Sequence, residues 1–274
     1  MQLETARVVL TGAGSGLGLA LAREASERGA RLLLVGRGLD ALNAARDSLR
    51  RPQRASICVA DVTLPEGRAA IVDLAGRGLG GVEILVNNAG VQTVGGLAEH
   101  DDDAIAAMLA TNLAAPLALT RDLLPLLRDA APSRVVNIGS MFGDIAFPLF
   151  AGYSATKFGL RGLSDSLRRE LAVDGIGITH AAPRAVRTPA FAAHGELEAP
   201  FAMKVDAPEA VAARIWNAVA RDRDRCYPGP AEHVLRLVQH LAPGIVDVGL
   251  APRLRKARTL LAAQRREGKP ALRT

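Results

Sequence analysis

The sequence predicts an α/β fold: a single doubly wound parallel sheet with helices on both faces, followed by a C-terminal helical extension. Three observations carry that reading. Short apolar runs alternate with longer stretches of helical spacing. A glycine-rich turn closes the first run. No Pro/Gly/Ser-rich linker and no fixed-period repeat divides the 274 residues. Such alternation implies right-handed βαβ units, hence a parallel sheet covered on both sides.

The elements follow in order. "RVVLT" (7–11), "RLLLVG" (31–36), "ASICVAD" (55–61), "VEILVNNAG" (82–90), "SRVVNIGS" (133–140) and "GITHAAP" (177–183) read as strands buried on both faces, and a seventh falls near "RCYPG" (225–229). "LALAREASER" (19–28), "LDALNAARDSLR" (39–50), "AAPLALTRDLLPLL" (114–127) and "YSATKFGLRGLSDSLRREL" (153–171) carry helical spacing. The acids of "EHDDD" (99–103) read as an N-cap and first helical turn, so no metal site is expected. The core domain is expected over 1–230, and 231–274 as an extension with a basic tail.

Composition narrows the class. Hydrophobic residues make up 49% of the chain, enough for a substantial core. The two cysteines, Cys58 and Cys226, lie in apolar runs without metal-ligand spacing, which fits a reducing, cytoplasmic setting. The N-terminus shows no basic segment followed by an apolar core, and no uninterrupted apolar run reaches the roughly 18 residues of a spanning helix. Net charge is +6, but residues 251–274 hold eight basic residues against one acid, leaving the first 250 residues at about −1. The body therefore lacks the basic surface that a nucleic acid would need.

The first turn carries the first chemical signal. It reads "TGAGSGLG", Thr11 to Gly18, with glycines at 12, 14, 16 and 18. Residues without Cβ let the backbone turn sharply and approach a pyrophosphate at a helix N-terminus. A nucleotide site then expects an acid at the end of the second strand for NAD, or an arginine for NADP. Here Gly36 stands in the acid's place and Arg37 follows. A guanidinium holds a 2′-phosphate bidentately, which favours NADP(H). Ser15, within the turn, supplies no second cation.

These motifs, with "NNAG" at 87–90, Asp61 ending "CVAD", Asn112 in "MLATNLAAPLAL", and Ser140, Tyr153 and Lys157 in a Ser-x12-Tyr-x3-Lys spacing, resemble the short-chain dehydrogenase/reductase family from about Arg7 to Thr188. The resemblance implies a Rossmann fold with cofactor contacts at Gly12, Ser15, Gly16, Leu17, Gly18, Arg37, Asp61, Val62, Asn88, Ala89, Gly90, Tyr153, Lys157, Pro183, Val186 and Thr188. It also implies a catalytic set of Asn112, Ser140, Tyr153 and Lys157. Tyrosine's unperturbed pKa of about 10 is too high for efficient proton exchange near neutrality. A lysine one helical turn away shares its face, and that cation is expected to favour phenolate, as is the positive nicotinamide ring of an oxidised cofactor. By resemblance, Lys157 also bonds the nicotinamide ribose and joins a water relay through Asn112, while Ser140 holds the substrate oxygen.

One position departs from the family pattern. After the sixth strand "APRAVRTP" keeps Pro183 and Thr188 but has Arg184 in place of the glycine usual after that proline. Two readings stand: Arg184 and Arg187 bind an anionic part of the substrate, or both face solvent or pair with acids such as Glu196 or Glu198. The segment 188–205 falls where the family places its substrate lid. Phe191, Phe201 and Met203 there, with Met141, Phe142 and Phe147 after Ser140, suggest an apolar pocket, and His194 is a candidate contact. The expected substrate is a hydrophobic ketone or secondary alcohol.

Two function classes follow. One is an NADP(H)-dependent carbonyl reductase, with an NAD-dependent secondary-alcohol dehydrogenase as its nearest variant. The other is a non-catalytic nucleotide-sensing or scaffold protein, against which the intact Asn112, Ser140, Tyr153 and Lys157 set argues. Helices 114–127 and 153–171 resemble the usual dimer face, so a homo-oligomer is expected. The amphipathic stretch "EHVLRLVQHLAPGIVDVGL" (232–250) and the basic tail leave three roles open: contact with an anionic membrane, cover for a partner's site, or a solvated tail.

Overall fold

The computed structural model describes residues 1–192 and 197–266, with side chains to 261. Seven strands form one parallel sheet: β1 (Arg7–Thr11), β2 (Arg31–Gly36), β3 (Ala55–Val59), β4 (Ile84–Asn87), β5 (Ser133–Ile138), β6 (Ile176–Ala181) and β7 (Arg225–Cys226), in the order β3-β2-β1-β4-β5-β6-β7. Strand order reverses between β1 and β4, and such a switch point opens a crevice at the carboxyl ends of the strands.

Period-two alternation in each strand divides the core between the two faces. Val8 and Leu10 of β1, with Leu32 and Leu34 of β2, pack under α1 (Gly16–Glu27), α2 (Leu39–Asp47) and α9 (Pro208–Ala220). Val9, Leu33 and Val35 turn the other way, toward α3 (Pro65–Leu74) and α5 (Ala115–Asp129). The single tryptophan, Trp216 of α9, is fully buried and donates from Nε1 to the Leu21 carbonyl at 3.0 Å. The stretch Asp102–Asp129 is long and apolar enough to cross a membrane by length and composition. Its Leu119, Leu123 and Leu127 are nevertheless fully buried against the sheet, as a core helix requires.

Two expectations about strands need correction. The third strand is not buried on both faces: β3 pairs with β2 alone, so Val59 is about half exposed at the sheet edge. The strands also stop before the sequence runs do. β3 ends at Val59 rather than Asp61, β4 at Asn87 rather than Gly90, β5 at Ile138 rather than Ser140. After β4 and β5 the chain leaves the ladder where Asn88 and Gly139 succeed the apolar run. The acids at 101–103 cap a helix as expected: the Asp101 carboxylate accepts from Ala104 N at 2.8 Å and opens α4 (Asp102–Leu109).

Beyond β5, α6 (Ala151–Glu170) returns along the sheet. After β6 come two short helices, α7 (Pro189–Ala192) and α8 (Glu198–Phe201). The described residues end in α10 (Pro230–Leu241) and α11 (Pro243–Arg266), between which the chain bends by 111°.

Candidate active site

The crevice holds a cavity of about 850 Å³ whose lining runs from Gly12 to Arg253. At one end is the glycine turn. Thr11 fixes it to the loop after β4: its hydroxyl donates to Val86 O at 3.2 Å and accepts from the N–H groups of Asn88 and Ala89, each at 3.0 Å. Asn88 Nδ2 donates back to Thr11 O at 2.9 Å. Gly12 has φ +65°, a conformation costly for any residue with Cβ, and a Cβ on Gly18 would overlap the Gly12 carbonyl. Helix α1 begins here, its first residues line the cavity and no side chain caps its N-terminal N–H groups, an arrangement that accepts phosphate.

Arg37 and Asp61 stand on the adjoining rim. Arg37 is exposed and makes no hydrogen bond or ion pair among the described residues; its influence is a Coulombic pull on Asp61. The Asp61 carboxyl is held low chiefly by hydrogen bonds from the Thr63 hydroxyl (2.7 Å) and N–H (2.8 Å), both to Oδ1. Its Oδ2 keeps its accepting capacity.

The reactive groups lie farther along. Ser140 follows β5, and its hydroxyl accepts from Phe142 N at 3.1 Å. Tyr153 and Lys157 both come from the first turns of α6. The Lys157 ammonium donates to Ile138 O at 2.9 Å and lies 5.5 Å from the centre of the Tyr153 ring. Burial pushes the Lys157 ammonium down to about 8. The sequence expectation that Lys157 lowers the phenol is not met here. Burial pushes Tyr153 up to about 12, and what opposes it is a hydrogen bond with Ser140. Phenolate formation in this site therefore needs more positive charge than the lysine supplies.

Asn112 does not line the cavity but stands directly behind it. It sits in a π-helical turn (Ala110–Ala114) between α4 and α5, an insertion frequent at functional sites. Its Oδ1 accepts from Val91 N at 2.9 Å, and its Nδ2 donates to Val91 O at 2.8 Å and to Thr156 Oγ1 at 3.1 Å. It thus joins the loop after β4 to α6, next to the turn that carries Lys157.

Beneath these groups runs a buried polar rung. Asn87, Asn137 and His180 are register partners across β4, β5 and β6. Asn87 Nδ2 donates to Asn137 Oδ1 (2.9 Å), Asn137 Nδ2 donates to Ser164 Oγ of α6 (3.0 Å), and His180 Nδ1 lies 3.2 Å from the same hydroxyl. The Ser164 hydroxyl spends its own proton on Leu160 O, so His180 is the donor to it and its Nε2 is an unpaired buried acceptor. The rung fixes α6, and therefore Tyr153 and Lys157, to three strands. Sequence reasoning missed it. The signal was a polar residue near the end of each of three apolar runs.

The other end of the cavity is apolar. Five of the chain's six phenylalanines line it: Phe142, Phe147, Phe150, Phe191 and Phe201. Phe142 stacks on Phe147 at 4.7 Å and meets the Tyr153 ring edge-on at 6.3 Å. Leu254, Ala257 and Leu261 of α11 pack onto this cluster, so the extension covers its own chain's lid side. Met141, Met203 and Leu235 of α10 complete the wall. Phe150 and Leu235 were not anticipated; His194 lies outside the described residues.

The remaining cofactor positions expected from the sequence (Ser15, Gly16, Leu17, Val62, Gly90, Pro183, Val186 and Thr188) also line the cavity. Arg184 lines it too, but not as a free cation. Its Nη2 donates to Asp206 Oδ1 and its Nη1 to Glu232 Oε1, both at 2.7 Å, and the Asp206 bond foremost raises its pKa. The paired reading therefore describes it, with partners other than those expected: Glu198 is not one, and Glu196 is outside the described residues. Arg187 is exposed and away from the lining, so the two arginines do not converge on one anion.

A family model described as short chain dehydrogenase matches residues 6–198. Ketoacyl reductase HetN of Nostoc sp. is 30% identical over 213 residues, 77% of this chain and 74% of the relative. A D-beta-hydroxybutyrate dehydrogenase of Rhizobium meliloti is 32% identical over 188 residues, 68% of this chain and 73% of the relative. Among solved structures, a short chain dehydrogenase/reductase from Burkholderia phymatum, in complex with NAD, superposes with a TM-score of 0.78 at 24% identity, covering 92% of this chain and 98% of its own.

Proposed function

The chain belongs to the short-chain dehydrogenase family of oxidoreductases, and from that premise we propose that it transfers a hydride between NADP(H) and an apolar ketone or secondary alcohol, with Tyr153 as general acid and base. The observation that carries the reading is convergence. One cavity joins a phosphate-accepting helix N-terminus and an unpaired arginine to Ser140, Tyr153 and Lys157, and ends in an aromatic wall.

A nicotinamide dinucleotide fits these residues. Gly12 and Gly18 let the turn pack against the loop after β4 more closely than any Cβ would allow, which leaves the start of α1 bare for a pyrophosphate, and Arg37 is an unpaired cation at the rim. When bound, the cofactor supplies the hydride donor or acceptor and, oxidised, a positive ring. The protein supplies the rest. Ser140 holds the substrate oxygen beside the phenol and stabilises charge that develops on it. Tyr153 gives its proton to that oxygen in reduction and removes it in oxidation. Lys157, still cationic at neutral pH with a pKa of about 8, adds one of the charges that the phenolate needs. Asn112, through Thr156 and the Val91 backbone, holds this turn of α6 in place.

Arg37 is the discriminating residue between the two cofactors. Fluorescence titration is expected to show tighter binding of NADPH than of NADH. Arg37→Ala should weaken NADPH by about 10- to 100-fold, the loss of charge-assisted hydrogen bonds, and leave NADH unchanged. Equal affinities that ignore the substitution would move the assignment to NAD(H), the cofactor bound in the Burkholderia structure.

A further inference from the structure

Helices α10 and α11 each need only one apolar row to pack on the body, and they carry two. The inner row is accounted for: Val238, Val246, Leu250, Leu254 and Ala257 lie against Met141, Tyr227 and the phenylalanine cluster. The second row faces outward. Val234, Leu237 and Leu241 repeat at helical spacing on α10, and Ile245 and Val248 continue past the bend, each 58–76% exposed. Scattered exposed aliphatics are ordinary; five within fifteen residues on one turn of chain mark an interaction surface.

We propose that this outer face docks on an anionic lipid bilayer. Charge selects that occupant. Along α11 the exposed side chains change from Ile245 and Val248 to Arg255, Lys256 and Arg258, and Asp247 is the sole acid from His233 to Arg266. Val248 and Arg255 are separated by about 10 Å of helix, comparable with the depth to which interfacial helices bury their apolar face. The aliphatic bend thus enters the acyl region while the cations stay among phosphate headgroups. A second copy of the chain fits less well. A two-fold contact sets the same patch against itself and brings like charges together. The rest of the chain is close to neutral, so attraction is confined to this side.

Docking would also place the mouth of the cavity at the membrane, because Ala231, Glu232 and Leu235 of α10 and Arg253 of α11 belong to its lining. An apolar ketone or alcohol dissolved in the bilayer would then enter without crossing water. That consequence rests on the function proposed above; the docking itself does not.

The test is co-sedimentation of the full-length protein with vesicles of phosphatidylcholine alone and of phosphatidylcholine with phosphatidylglycerol in equal parts, with sedimentation velocity run in parallel. Retention is expected on the anionic vesicles only and should fall as salt is raised. Arg255→Gln with Lys256→Gln should weaken it by about 30-fold. Leu241→Glu with Val248→Glu should abolish it while the thermal midpoint, set by buried contacts, stays put. Failure to bind anionic vesicles would overturn the proposal. So would binding indifferent to both pairs of substitutions, or an oligomer that the glutamates dissociate without any vesicle binding. Turnover of a water-soluble ketone, measured alongside, separates loss of docking from failure of the catalytic reading.

Discussion

The two ends of the cavity are built differently. At the glycine turn, contacts run from backbone to backbone or from short side chains to backbone: Thr11, Asn88 and the loop after β4 lock together within a few residues of the strand ends. At the lid end, contacts run from long side chain to long side chain, such as Arg184 with Glu232 and Asp206. The first kind of site depends on residue types at fixed spacing. The second depends on whichever side chains the folded chain brings together, so it can change partners while the fold stays the same. Cofactor binding should therefore be brittle, and substrate binding adjustable.

The sharpest probe sits at the junction. Tyr153→Phe keeps the ring that packs edge-on against Phe142 and removes the hydroxyl. Hydride transfer to a ketone should fall by about 10³-fold, within the range that a positioned acid supplies, with cofactor affinity unchanged. Steady-state kinetics beside cofactor titration would check it. A comparable loss of affinity would mean that the two ends are not separable.

Acid should act next, through the rung that ties the strand ends to α6. Burial holds His180 down at about 4, with Asp144 and Asp165 opposing and Lys157 and Arg161 assisting. Between pH 6.5 and 4 the unfolded chain therefore binds a proton that the folded chain refuses. Stability is fully present above 6.5 and falls as pH drops toward 4, by about 3 kcal/mol for the whole shift. Urea unfolding at several pH values should show this loss, and His180→Gln should remove that part of the slope.

A third substitution isolates the nucleotide end. Gly18→Ala puts a methyl group into the Gly12 carbonyl and within 2.7 Å of Asn88 Nδ2, in a turn whose neighbours are already clamped. Overpacking of this kind costs about 1–3 kcal/mol, so cofactor affinity should drop by about 10- to 100-fold. The apolar wall should be indifferent: binding of a hydrophobic fluorescent probe there is expected to be unchanged.

The same contrast explains what could be read from the sequence. The strand–helix alternation, the glycine turn and the Ser140, Tyr153 and Lys157 spacing are local patterns, each set by what a strand end or one helical turn requires. Where strands were drawn too long, at Asp61, Gly90 and Ser140, the error fell where the chain leaves the sheet to build the site. The rung escaped because Asn87, Asn137 and His180 become neighbours only once the sheet order is known. The role of Thr156 escaped because it meets Asn112 from 44 positions away. The direction of the Tyr153 shift was misjudged for a related reason: spacing shows that a lysine is near but not how deeply both groups are buried.

The smallest effect should be the most informative about the lid end. Arg184 joins three segments: its own loop after β6, Asp206 before α9, and Glu232 in α10. Arg184→Ala leaves the partly buried Glu232 carboxylate without its cation and Asp206 with only the longer Arg214 contact at 3.5 Å. Loss of these charge-assisted bonds should cost about 2 kcal/mol, visible as a lower thermal midpoint. If the lid end is adjustable, KM for an apolar ketone should rise by several fold while NADPH affinity holds. Arg184→Lys is the discriminating companion. An ammonium is a point charge and cannot fork between two carboxylates as a guanidinium does, so it should restore part of the stability by holding one acid, and little of the KM. Full restoration of both by lysine would mean that charge alone closes this end, and that the planar geometry joining lid to extension is incidental.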